Sequence, residues 1–237
     1  MKNIFLKTVQ KPLNFSGVGL HSGINSKVNI LPGNEDSGIV FKRTDLTNNN
    51  LIEANFKNVS STTLSTTLQN KHGVRVSTVE HLLAALYIAG IGSAIIEINS
   101  EEVPIMDGSA KDFLDLFQKL ELKQLTKKRK YLKILDKFEL KDGKKKISIE
   151  PTNSSLKVEF ELNFKNKIIG KQKNSIDFQS DYLNNVIEAR TFCLFEDIKK
   201  IKKLGLAKGG SLENAIVVDN KKVLNKNGLR NEKEFVN

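Results

Sequence analysis

Ser77-Thr78-Val79-Glu80-His81-Leu82-Leu83-Ala84-Ala85-Leu86 reads as the opening of an amphipathic helix. Val79, Leu82, Leu83 and Leu86 recur at the three- and four-residue spacing that lines one helix face. Ser77 suits the N-cap, and Glu80, three residues on, completes a capping-box pattern. Gly90 suits the C-terminal cap. Upstream, alternating or apolar stretches predict strands at 27–31, 38–43, 62–68 and 74–76, separated by Gly, Pro and Asn turns. Downstream, a strand is predicted at 94–98. A second helix starts at Ser109, with Phe113, Leu114, Leu116, Phe117 and Leu120 facing a core. The polar run Lys127-Lys128-Arg129-Lys130 separates two expected domains, 1–126 and 131–237. Beyond it, strands are expected at 131–140, 145–150, 156–164 and 215–218, and helices at 181–187 and 195–204. Residues 232–237 look like the first turn of another helix. Strand and helix content of similar kind on both sides of the boundary gives an α+β class.

Composition narrows the function classes. With 39% hydrophobic and 27% charged residues over 237 positions, the chain suits a soluble globular protein with a sizeable core. The apolar run at 82–91 is half the ~20 residues that span a bilayer. The three-residue run Ile4-Phe5-Leu6 is too short for a signal-peptide core. A single cysteine, Cys193, forms no internal disulfide, so the reading is cytoplasmic, with that thiol packed and inert. The net charge of +11 is concentrated: residues 119–173 hold 17 Lys and Arg against 7 Asp and Glu, a net of +10. Such a stretch attracts nucleic acid, anionic lipid or a phosphorylated ligand, or is simply a solvated face. Its aromatics, Tyr131, Phe138, Phe160 and Phe164, are spaced like strand core residues, which argues against a base-stacking platform. Five of the 38 basic residues are arginines: Arg43, Arg75, Arg129, Arg190 and Arg230. In so lysine-rich a chain these mark places where the planar fork is required.

The candidate chemistry centres on Glu80-His81. Adjacent residues at a helix start project about 100° apart and both can border one cleft. A His that ligates zinc beside a Glu that deprotonates the metal-bound water is a hydrolytic arrangement. The competing reading makes Glu80 a capping residue and His81 its polar neighbour. His21, in Gly17-Val18-Gly19-Leu20-His21-Ser22-Gly23, sits in a glycine-rich turn, and turn architecture alone accounts for it. His72, in Asn70-Lys71-His72-Gly73, reads as an exposed hairpin turn without a role. Asp107, in Pro104-Ile105-Met106-Asp107-Gly108-Ser109, reads as a turn or capping residue. Three histidines and no cysteine cluster do not assemble a three-ligand zinc site.

Several collinear stretches together resemble the UDP-3-O-acyl-N-acetylglucosamine deacetylase family. They are GVGLHSG at 17–23, the segment 62–68, VSTVEHLLAA at 76–85, VPIMDGSA at 103–110, ARTF at 189–192, GGSLENAIVV at 209–218 and LNKNGLRNEKEFV at 224–236. The resemblance implies two β-α-α-β sandwich domains packed helix layer to helix layer, the second incomplete, with the active site between them. It implies one catalytic Zn2+, His81 as a zinc ligand, and Glu80 as general base on the zinc-bound water. The reaction is release of acetate from the N-acetyl group of UDP-3-O-acyl-N-acetylglucosamine, the committed step of lipid A synthesis. Thr191 resembles the residue that steadies the tetrahedral oxyanion. Phe192 and Lys145 resemble contacts to UDP. Residues 194–219 resemble an insert lining a hydrophobic acyl passage, with Ile198, Ile201, Leu204, Leu206, Ala207 and Gly210 in it and Leu64 flanking it. The implied protein is a monomer in peripheral proximity to a membrane, acting on a UDP-linked acylated amino sugar and not on nucleic acid.

One part of the family pattern has no counterpart here. The segment H-K-x-x-D-x-x-G-D, which brings the other zinc ligands, and a later His acting as general acid would lie beyond Asn237. The chain therefore reads as C-terminally truncated, with weak zinc affinity, negligible turnover and an apolar patch exposed on its second domain. The alternative reading is a non-catalytic basic protein that binds nucleic acid or an anionic membrane surface through 119–173.

Overall fold

The computed structural model describes residues 4–153, 156–179 and 181–237. In chain order it runs β1 (Phe5–Val9), β2 (Leu13–Val18), β3 (Asn25–Pro32), β4 (Ile39–Arg43), β5 (Leu51–Glu53), β6 (Val59–Ser61), β7 (Thr67–Gln69), β8 (Arg75–Val76), α1 (Glu80–Ala89), β9 (Ala94–Ile98) and α2 (Lys111–Phe117). There follow β10 (Leu122–Lys128), β11 (Phe138–Asp142), β12 (Lys145–Ile149), β13 (Lys157–Asn163), β14 (Lys171–Asp177), α3 (Asn184–Ile187), β15 (Phe192–Leu194), α4 (Phe195–Lys203) and β16 (Ile216–Val218), with a 3-10 turn at Glu234–Val236. The fold is mixed α and β, compatible with the α+β class.

A five-stranded sheet in the order β2-β3-β9-β4-β5 organises the first half. Only β4 and β9 run parallel in it. Period-two alternation decides its faces. Val28 and Ile30 of β3 lie opposite Ile98 and Ile96 of β9, and all four are buried. Against that face pack Leu82, Ala85 and Leu86 of α1 and Phe113, Leu114 and Phe117 of α2. Each fully buried side chain of this size contributes about 1.5–3 kcal/mol relative to exposure. A smaller cluster in the second half joins Leu162, Ile169, Ile216, Val218, Phe235 and Val236.

Four expectations need correction. Ser77 is not the cap of α1. Its amide and hydroxyl both donate to the Glu101 carbonyl, and it forms a parallel bridge with Glu102, so the chain before the helix is drawn onto a strand end. The helix starts at Glu80 with Val79 as cap and no side-chain cap bond. Helix α2 likewise begins at Lys111, its amide donating to the Ser109 hydroxyl. The aromatics of the basic stretch are not core: Tyr131, Phe138 and Phe160 are at least half exposed. The physical reason is that β11–β12 and β13–β14 are separate two-stranded sheets. Phe138 stands opposite Ile149 and Leu140 opposite Ile147, and all four are exposed. The predicted strand at 131–140 is regular only from Phe138. Strands β1 and β10, which pair with each other, had no period-two signal. Gly90 caps α1 in the left-handed conformation as expected, and no helix among the described residues is long and apolar enough to cross a membrane.

Candidate active site

Relieved of capping duty, the Glu80 carboxylate turns to a different element. Its Oε2 accepts the Thr66 amide at 3.0 Å, which ties the start of α1 to the loop carrying Leu64. His81 is half-buried beside it. Burial holds its imidazole below the ordinary histidine range, outweighing the attraction of the Glu80 and Asp107 carboxylates, which raise it. The neutral ring favoured at neutral pH is the form that ligates metals.

Asp107 is the turn residue expected, its Oδ1 accepting the Ser109 amide at 2.9 Å, and its carboxylate also acts on His81 electrostatically. Burial pushes its carboxyl up, but hydrogen bonds from the Ser109 hydroxyl and amide and from Arg230 prevail and hold it below the usual range. The next residue links the two halves. The Gly108 carbonyl accepts the Thr191 amide at 2.8 Å, and the Thr191 carbonyl accepts the Ile216 amide at 2.8 Å. Gly108 has φ +87° and a Cβ there would collide with the Asn214 carbonyl, so only glycine lets these segments meet. Glu80, His81, Asp107 and Thr191 thus belong to one region.

His21 is the residue the sequence reading undervalued. Its Nε2 lies 3.3 Å from the Leu64 carbonyl, and its Nδ1 accepts the Ala207 amide at 3.4 Å. One imidazole joins Leu64, expected to flank the passage, to Ala207, expected to line it. The turn that carries it is built on Glu102, a buried carboxylate accepting the amides of His21 at 2.8 Å and Ser22 at 2.6 Å and the Thr78 hydroxyl at 2.8 Å. No local pattern marks Glu102, because its partners lie 24 to 81 residues away. The same turn meets the insert: Lys208 and Gly209 donate their amides to the carbonyls of His21 and Leu20. Gly210 lies against Leu20 and Ala207. Five non-glycine residues among those described have positive φ, and Leu64, Thr78, Met106 and Ala207 are four of them. Each costs of order 1–3 kcal/mol, a strain that gathers where function over-determines the backbone.

Other expected residues sit apart. Phe192 is packed edge-on between Phe164 and Phe235 in the second cluster. Lys145 opens β12 on the exposed hairpin, opposite Asp142. Cys193 lies in β15, where burial pushes its thiol up, as an inert packed cysteine requires. A groove of about 520 Å³ lies over β2, β3 and β9, among Phe15, Val28 and Glu97, and none of the candidate residues lines it. Among the described residues no three His, Cys, Asp or Glu side chains converge to hold a metal ion. His81 is one donor, and Asp107 is already engaged by Ser109 and Arg230. The residues present do not fit a three-ligand zinc site.

A mixed α/β fold that brings a helix-start Glu-His pair, a strained backbone and a threonine together defines a candidate hydrolase. The chain belongs to the LpxC family, UDP-3-O-acyl N-acetylglycosamine deacetylase, whose model matches residues 6–237. It is similar to the UDP-3-O-acyl-N-acetylglucosamine deacetylase of Nautilia profundicola, 41% identical over 231 residues, covering 97% of this chain and 77% of that one. The proteins of the same name from Shewanella baltica OS155 and Shewanella frigidimarina are 42% and 43% identical over 236 residues, covering 98% of this chain and 77% of each.

Proposed function

We propose that this chain carries the Glu80–Thr191 part of a UDP-3-O-acyl-N-acetylglucosamine deacetylase site, whose reaction releases acetate from the N-acetyl group for lipid A synthesis, and that with His81 as its one zinc donor its own turnover is negligible. The observation that carries the reading is the release of Glu80 from capping and its anchorage to Thr66 beside a neutral His81. Glu80 takes a proton from the attacking water as its oxygen bonds to the acetyl carbon, and returns that proton to the sugar nitrogen as the C–N bond breaks, giving acetate and the free amine. Thr191, its backbone pinned by Gly108 and Ile216, steadies the oxyanion that forms on the acetyl carbonyl. Leu64, Ala207 and Gly210 guide the acyl chain, and Lys145 and Phe192 meet the UDP moiety. Zinc enters this proposal at His81 alone and carries no step of it.

The two buried clusters support a division near residues 127–130 into two domains, 1–126 and 131–237, which the proposal takes as sandwiches packed helix layer to helix layer. The reading places a monomer in the cytoplasm near a membrane. The test is acetate release from UDP-3-O-acyl-N-acetylglucosamine by the 237-residue chain. E80Q should lower the residual rate at least ~100-fold, within the usual range for a general base. A residual rate equal in E80Q and the parent would sink the assignment of Glu80, and turnover at a full enzyme's rate would sink the expectation of negligible activity.

The second reading, a basic surface for nucleic acid or anionic membrane, draws on the exposed Phe138 and Phe160 within the lysine-rich stretch. Against it, Lys137, Lys141, Lys146, Lys157, Lys171 and Lys173 lie within salt-bridge distance of carboxylates on the same two hairpins, which reduces the charge a partner would meet. A steep salt dependence of affinity for arbitrary DNA would favour it.

A further inference from the structure

Residues 228–234 form a clasp around the segment that holds Thr191. Arg230 reaches back to the first half of the chain, its Nη2 donating to Asp107 Oδ2 at 2.9 Å. Its Nη1 donates to the Glu188 carbonyl at 2.9 Å and approaches the Ser109 hydroxyl at 3.3 Å. Its own amide donates to Glu234 Oε2 at 2.6 Å. Glu234 in turn receives Arg190 Nε at 2.7 Å and Nη2 at 3.2 Å, and Arg190 Nη2 also donates to the Gly228 carbonyl at 2.9 Å. Thr191 follows Arg190 directly. The residues on its N-terminal side, Glu188 and Arg190, are therefore gripped by the clasp, while its own amide is bound to the carbonyl next to Asp107.

We infer that Arg230 is a positioning residue of this site: by joining Asp107, Ser109 and the Glu188 carbonyl through one guanidinium, it fixes the register of Thr191 against Gly108. Three acceptors on two segments need a planar fork, and an ammonium cannot satisfy them in that geometry. The inference rests on the proposed role of Thr191 for its functional meaning, but the clasp itself is measurable without turnover.

The experiment is site-resolved amide hydrogen exchange by NMR on the 237-residue chain and its R230M, D107N and D107E variants. Exchange of the Thr191 amide should speed at least ~10-fold in R230M and D107N. It should stay near the parent value in D107E, which keeps the carboxylate, while the Ile96 amide in the core sheet does not change in any variant. If R230M fails to fold, D107N and D107E decide the matter, because they leave the arginine in place. Unchanged Thr191 exchange in D107N with the fold kept would overturn the inference. So would equal loss of protection in D107N and D107E, since then charge pairing is not what holds the segment. Acetate release by T191V separates the two claims. An undiminished rate there removes the catalytic role of Thr191 and leaves the clasp standing.

Discussion

Replacing Arg190 by methionine removes one partner of the most deeply buried ion pair described. The Arg190 side chain is 8% exposed and that of Glu234 is fully buried, with Nε and Oε1 2.7 Å apart. Breaking such a pair by deleting one member costs about 3–5 kcal/mol, because the remaining charge keeps its desolvation penalty without its counter-ion. Here Glu234 still accepts the Arg230 amide at 2.6 Å and the Arg190 amide at 3.3 Å, which argues for the lower end, about 3 kcal/mol. That is a large part of the 5–15 kcal/mol that holds a typical domain together. Urea unfolding at a slope near 2 kcal/mol/M should show the midpoint fall by roughly 1.5 M at unchanged slope. The double variant R190M/E234L, which removes the stranded charge as well, should recover much of the loss. A loss under about 1 kcal/mol in R190M, or a double variant no more stable than the single, would refute the reasoning.

Three other outcomes are expected. In an NMR titration His81 should titrate below the ordinary histidine value, and E80Q should move it lower still by removing a carboxylate that raises it; an upward move would contradict the geometry. Asp107 has a depressed folded pKa, so its stabilising contribution is complete above the unfolded value near 3.9 and fades as pH falls through the folded one. D107N should therefore flatten the acid limb of the stability profile, and an identical limb in parent and variant would show that Asp107 has no such linkage. Cys193, its thiol pushed up by burial, should alkylate with iodoacetamide far more slowly than a free thiol at pH 8, and reaction at the free rate would show that the site is open.

Much of the first half was legible because its signals are local. The short, largely apolar stretch 94–98 marks β9 at its observed bounds, and the stripe through Leu82 and Leu86 marks α1. Glycine at position 90 announces the cap, since the left-handed turn excludes most other residues. The arginines expected to need their fork include Arg43, which grips both Asp45 oxygens and the Arg75 carbonyl, and Arg190 and Arg230, each with several acceptors. Position at a helix start singled out Glu80 and His81 beside a capping alternative, and the family resemblance gave them roles and added Thr191.

What the sequence determined by itself is the main helices and strands of the first core and the residues able to do chemistry, because periodicity and turn preference act over a few positions. Only the tertiary structure decided what those residues are free to do. Glu80 fits a capping box on paper, yet the bridge between Ser77 and Glu102 takes its partner away and leaves the carboxylate to Thr66. His21 joins Leu64 to Ala207, and Arg230 joins Asp107 to the Thr191 segment, across 42 to 186 residues. Contacts at such separation leave no periodic trace, because they depend on where whole sheets and loops come to rest, and that is settled by burial of the two cores.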